Sequence, residues 1–302
     1  MTRKKTRTSA ALALCFAVAG VGLVGCEDPT TGAKPEAGSS SGASATGEAP
    51  LTGTEKIKVG KHSVNVSCTG NQAGDRPVVV LLHGGGDDLT KMADFQKTLS
   101  ADGRVCSYDR LGAGASDKPD GPQDYDDIGK ILTGVLDRVA GDGPAVLAGH
   151  SMGGLIAARY APDHQDRVKG LVLLDSTSPT AVGDLTKRIP ESATGPAGEL
   201  RAQTLGVFAG ENPEQLVFTD GKVRSAGDIP VRVIQHGVQY LAEVPEYGPG
   251  LEEDWTKGQK AWLGLSTNSE LSTAEKSGHY IYLEAPKVAA DAVKEVASQA
   301  TA

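Results

Sequence analysis

The stretch AVLAGHSMGG, residues 145–154, sets Ser151 between Gly149 and Gly153 at the end of an apolar run. A serine so placed, among residues small enough for a tight strand-to-helix turn, could attack a carbonyl. Its hydroxyl is a poor nucleophile at neutral pH, so the reaction also needs a base to take its proton and an acid to orient that base. The pattern G-x-S-x-G is too short to carry this alone, since GSSSG around Ser40 satisfies it equally. Ser40 lies in a stretch of Gly, Ser, Ala and Thr without apolar periodicity, where no neighbour can fix its geometry, and it is set aside. Six histidines compete for the base. His62 falls in a hairpin, His164 in the polar turn APDHQDRV, and His83 and His150 in tight turns. His236 ends an apolar strand and is a rival. His279 follows a predicted strand in the loop SGHY, comes last in the chain, and is favoured. Asp175, which ends GLVLLD, is the favoured acid, against the plainer reading that it bonds the next turn. Glu243, Glu246 and Asp254 are fallbacks.

Those residues are useful only if the chain gathers them. From residue 51 strands and helices alternate. KIKVG and HSVNVSCT alternate in polarity around Gly60-Lys61, which predicts a hairpin. PVVVLLHG is continuously apolar, as befits a strand buried on both faces. KMADFQKTL spaces Met92, Phe95 and Leu99 helically, RVCSYDR reads as a strand, and Ile128, Ile131, Leu132, Val135, Leu136 and Val139 mark an amphipathic helix. PAVLAGHS and VKGLVLLD are strands, with a helix opening at Leu155 between them. Residues 177–227 break the rhythm with four prolines and short apolar clusters, which predicts an inserted cap. IPVRVIQHG, a helix near Trp255 to Leu265, ELSTAEKSG and a helix through Val288, Ala292, Val293 and Val296 complete the series. Alternation of this kind implies an α/β fold whose mostly parallel sheet is covered on both faces.

Three motifs in order, HGGG at 83–86, YDRLGAGASD at 108–117 and GHSMGG at 149–154, resemble the α/β-hydrolase fold family over residues 51–302. The resemblance implies eight strands in the order 1-2-4-3-5-6-7-8, strand two antiparallel, and a cap after strand six, at about 177–227. It implies His279 as base, with the backbone N–H groups of Gly85 and Met152 as the donors of an oxyanion hole. Many relatives carry the acid after strand seven in a pattern like G-x-x-D. Here Gly237 is followed by Tyr240 at that position, and the order used by other relatives, with the acid after strand six, selects Asp175. Asp109 and Arg110 are read as braces of the turn after strand four, and Asp87 and Asp88 receive no catalytic role. The implied activity is hydrolysis of a small-molecule carboxylic ester through an acyl-enzyme, with a small or medium acyl group, given the cap's modest apolar clusters. Peptidases and carbon–carbon bond hydrolases share the DRLGAGASD style, whereas a serine nucleophile argues against dehalogenases and epoxide hydrolases. A non-catalytic binding lipoprotein on the same scaffold is the reading from a different class. No cofactor is implied, and no metal, for want of H-E-x-x-H or a Cys/His cluster.

The amino-terminal end has its own layout. Arg3, Lys4, Lys5 and Arg7 precede an uncharged, mostly apolar run over residues 9–25, as in a secretory signal. LVGC at 23–26 resembles the lipobox of bacterial lipoproteins, which implies cleavage before Cys26 and a diacylglycerol on its sulfur. The expected organisation is a signal peptide at 1–25, a lipid-anchored flexible linker at 26–50 and a hydrolase domain at 51–302. The expected location is outside the cytoplasm, anchored to the bacterial cell membrane. The net charge of −8 becomes −12 once the four basic residues of the signal are set aside, which speaks against nucleic-acid binding. Cys68 and Cys106 remain as an even pair in an exported chain. A disulfide is the default and two buried thiols the alternative. The strand order implied by the resemblance would set the two side by side.

Overall fold

The computed structural model describes residues 49–300 apart from 73 and 75. The expected signal, the lipid site Cys26 and all but the end of the expected linker lie outside the described residues. The apolar runs become strands because each can bury both of its faces. Val78, Val80 and Leu82 of β3 (Val78–Leu82) enter one core, and Val79 and Leu81 enter the other, as the two-residue period of a strand requires. β1 (Gly53–Val59) and β2 (His62–Thr69) form the hairpin around Gly60. β4 (Val105–Tyr108), β5 (Ala145–His150), β6 (Val168–Leu174), β7 (Val231–His236) and β8 (Ser269–Ala274) complete one eight-stranded sheet. Its order is β1-β2-β4-β3-β5-β6-β7-β8, with β2 antiparallel to both neighbours and β3 to β8 parallel. This is the order the resemblance implied. Cys68 faces Cys106 across the β2–β4 pair, and the two form a disulfide.

Helices cover both faces. α1 (Ala93–Leu99) follows a 3-10 turn at Leu89–Met92 that Asp88 caps by accepting from Thr90 N at 2.9 Å. α1 packs on one face with α8 (Pro286–Gln299), through Phe95, Leu99, Ala289, Val293 and Val296. α2 (Tyr125–Ala140) and α3 (Met152–Tyr160) cover the other face; the six apolar residues that marked α2 in the sequence are all buried. Each such Leu, Ile or Val withdrawn from water stabilises the fold by about 1.5–3 kcal/mol before entropy is counted.

Between β6 and β7 the chain leaves the sheet to form α4 (Ala181–Arg188) and α5 (Gly195–Phe208). Both pack against the segment after β7 in a small apolar cluster of Leu185, Ile189, Ala197, Leu241, Val244 and Leu251. α6 (Gly248–Ala261) begins seven residues before the position the sequence suggested. Its opening Gly-Pro-Gly reads as a loop, yet Pro249 stands in the first turn, where a missing N–H costs nothing. A short α7 (Ile281–Glu284) precedes α8.

Candidate active site

β5 and β6 run in register with His150 opposite Leu174, so the next residues, Ser151 and Asp175, emerge side by side at the carboxyl edge of the sheet. Ser151 N donates to Leu174 O at 3.1 Å. Both residues hold left-handed backbone conformations, φ 49° at Ser151 and 47° at Asp175. Serine adopts that region at a cost, which the tight turn into α3 imposes. The turn closes only because its neighbours lack side chains: a methyl at Gly153 would run into the carbonyls of Leu82 and His83, and one at Gly154 into the Ser176 hydroxyl.

The Asp175 carboxylate is fully buried and receives four N–H groups. His279 Nδ1 donates to Oδ2 at 2.7 Å. His236 gives its backbone N–H to Oδ1 at 3.0 Å and its ring Nδ1 to both oxygens at 2.9 Å. Trp255 Nε1 donates to Oδ1 at 2.8 Å. Burial alone would raise the pKa of this carboxyl, but the bonds from His236 and His279 overcome it and hold it well below the usual carboxylate range. Behind it, His236 Nε2 donates to Glu252 Oε2 at 2.8 Å, and Glu252 Oε1 accepts from Leu241 N at 2.7 Å. Burial opposes charge on His236, yet its bonds to Asp175 and Glu252 prevail and push its pKa up to about 9.

His279 thus presents Nδ1 to Asp175 and keeps Nε2 for whatever lies in front of it. Its backbone is tied to the residue before the serine, since His150 Nε2 donates to His279 O at 3.0 Å and the two rings lie 4.5 Å apart. His150 itself is pushed well below the ordinary imidazole value, by burial first, and is neutral. Tyr240 stands at the position where an acid was sought after β7; its ring lies 4.8 Å from that of His236 and 5.7 Å from that of His279.

Peptide planarity fixes the two amides of interest. Gly84 O accepts from Arg110 Nη2 at 2.9 Å and from His83 Nδ1 at 2.8 Å, so the N–H of Gly85 in the same trans peptide points the opposite way. Ser151 O accepts from the amides of Gly154, Leu155 and Thr177, which turns the Met152 N–H away from them, at the amino end of α3. The Arg110 guanidinium that clamps the first loop is buried and paired with Glu214, from the insert, at 2.6 Å. Asp109 accepts from Leu89 N, Asn65 Nδ2 and Ala115 N, and so braces the turn after β4.

The structure therefore gathers Ser151, Asp175 and His279 at one edge. Glu243 and Glu246 are exposed, and Asp254 is bonded to Arg188 at 2.7 Å. His236 has both ring nitrogens bound to carboxylates, which leaves it no lone pair for a serine proton. Sequence reasoning missed the roles of Glu252 and Trp255, because the predicted helix began only near Trp255 and left Glu252 in the acidic run before it. The signal available was their three-residue spacing, which puts both on one side of a helix. Among the described residues, no group of three or more His, Cys, Asp or Glu is arranged to hold a metal ion, and no helix is long and apolar enough to cross a membrane.

A family model described as alpha/beta hydrolase fold matches residues 77–264. A proline iminopeptidase of Saccharolobus solfataricus is 36% identical over 148 residues, covering 46% of each chain. A 2-hydroxy-6-oxononadienedioate/2-hydroxy-6-oxononatrienedioate hydrolase of Burkholderia vietnamiensis is 38% identical over 115 residues, covering 36% of this chain and 38% of its own. The chain spans between 28% and 46% of the length of the curated relatives it matches. Among solved structures, a thermophilic esterase from Thermogutta terrifontis superposes with a TM-score of 0.58 at 20% identity, over 82% of this chain and 99% of its own, a likeness of fold.

Proposed function

The chain belongs to the alpha/beta hydrolase fold family, and on that premise we propose that it is a serine hydrolase cleaving carboxylic esters through an acyl-enzyme. The observation that carries this reading is the 2.7 Å bond from His279 Nδ1 to a buried Asp175 carboxylate, beside a serine on a strained strand-to-helix turn. Ser151 Oγ attacks the ester carbonyl while His279 Nε2 takes its proton. The N–H groups of Gly85 and Met152 receive the oxyanion, and Asp175 holds the imidazolium in orientation. The tetrahedral species then expels the alkoxide, which leaves with the proton from His279. Water repeats the sequence on the acyl-enzyme, releasing the acid and restoring the serine.

The test is fluorophosphonate labelling with the modified peptide mapped by mass spectrometry. Label on Ser151, absent in Ser151→Ala, supports the reading; a folded protein that takes no label favours a non-catalytic binding protein. A nitrophenyl ester series, run beside an aminoacyl arylamide, separates esterase from peptidase activity, and a maximum beyond ten carbons would refute the preference for small acyl groups. The iminopeptidase relative is the reason to include the arylamide.

The basic head, apolar run and LVGC at 23–26 support a lipid-anchored location outside the cytoplasm. Metabolic labelling with an alkyne fatty acid checks it: incorporation is expected in the full chain and lost in Cys26→Ala.

A further inference from the structure

The end of β7 offers Asp175 a histidine, and that histidine is itself held from behind. His236 reaches Asp175 with its backbone N–H and its ring Nδ1, and places Nε2 on Glu252 at 2.8 Å. A neutral imidazole has one N–H and can donate to one carboxylate only; both bonds require two. Side-chain exposure is 4% at His236, 0% at Asp175 and 7% at Glu252, so water does not stand in for a missing partner.

We propose that His236 and Glu252 are positioning residues for the acid: Glu252 holds His236 as an imidazolium, and the imidazolium holds the Asp175 carboxylate in the orientation that faces His279. This rests on the reading of Ser151, His279 and Asp175 as the catalytic group. The charge balance explains the arrangement. Two buried carboxylates alone would carry two negative charges, and one would take up a proton. With the cation between them the cluster keeps one negative charge, which is balanced when His279 becomes cationic as Ser151 attacks.

The groups that face His236 from the surrounding elements agree with a stable cation. Asp175 comes from the end of β6, Glu252 and Trp255 from α6, and Tyr240 from the segment after β7. β8 puts Ala274 opposite it. His279 is separated from it by the shared carboxylate.

Two measurements test this. Ring nitrogen shifts from NMR on the whole protein should show His236 doubly protonated at neutral pH, titrating near pH 9, and titrating lower in Glu252→Gln. A neutral His236 ring at pH 7 would overturn the proposal. The pH profile of kcat/KM should fall at high pH with the same midpoint, and that limb should move down by about one unit or more in Glu252→Gln. In His236→Gln the limb should vanish and kcat fall by about tenfold or more, with KM held within about twofold. Residues that only support the fold would lower the melting temperature and leave the limb in place, which would refute the inference. If His236→Gln does not fold, Glu252→Gln and the wild-type titration decide. Failure of the underlying reading is distinct: Ser151 would take no label, whereas an enzyme that turns over with an unmoved limb defeats this inference alone.

Discussion

Replacing Asp175 with Asn removes a charge while sparing the backbone, because Asn, like Asp, tolerates the left-handed conformation that φ 47° demands. The carboxylate accepts from four N–H groups through two oxygens. An amide has one acceptor oxygen, and its NH2 must face a donor whichever way it turns. Oδ1 meets the His236 backbone and Trp255 as well as the His236 ring, so the amide oxygen is drawn to that side and the NH2 is left against His279 Nδ1. His279 then becomes an acceptor at Nδ1 and carries its proton on Nε2, which leaves nothing to take the serine proton. A wrong tautomer in an equivalent triad lowers kcat about 10⁴-fold, or about 5.5 kcal/mol of transition-state stabilisation. Stopped and steady-state hydrolysis of a nitrophenyl ester measures it, with circular dichroism to confirm folding and fluorophosphonate labelling expected to slow in parallel. A folded Asp175→Asn enzyme that keeps more than a tenth of its kcat would refute the assignment of Asp175.

Other perturbations follow from the same contacts. Glu214→Gln leaves the buried Arg110 charge uncompensated and is expected to cost about 3 kcal/mol in urea unfolding, with a lower kcat because Arg110 clamps the loop that carries Gly85. Replacing Cys68 and Cys106 together by Ala opens a loop of 38 residues and should cost up to about 4 kcal/mol, while Ser151 still takes a fluorophosphonate. The raised pKa of His236 contributes stability that is complete below about pH 6.5 and is lost as pH rises through about 9, about 3 kcal/mol in all, measurable as a falling urea midpoint. Asp175, whose pKa is lowered, acts in the opposite sense: its contribution is present above about pH 4 and disappears in acid.

The parts of the molecule that were legible in the sequence are those where one local pattern decides the structure. Val78 to Leu82 could only be a strand buried on both faces, and the six apolar residues of α2 recur with the helical period and all reach the core. The glycines around Ser151 announced a turn because no side chain fits there. What could not be read depends on partners far along the chain. Asp175 is bonded to His236 61 residues on, to Trp255 80 residues on and to His279 104 residues on, and no local pattern encodes such bonds. The insert was opaque for a related reason: α4 is only two turns long and buries Leu185 alone, α5 has no marked apolar face, and their packing is set by Leu241, Val244 and Leu251. Glu252 was hidden by its acidic neighbours Glu253 and Asp254, which are solvent-facing or paired with Arg188.

The four bonds to Asp175 also order events during folding. Every donor comes from β7 or later, while the carboxylate belongs to the end of β6. A chain emerging from synthesis, or one truncated before residue 231, can already form the β5 turn that carries Ser151, but it holds an acid with nothing to bond. Burying that charge unpaired is unfavourable, so the sheet edge stays open to water until the last quarter of the chain docks. On the proposed reading, the pair that would make Ser151 reactive is therefore assembled only when β7, α6 and the loop after β8 have docked, and a half-made molecule would have no competent serine to expose.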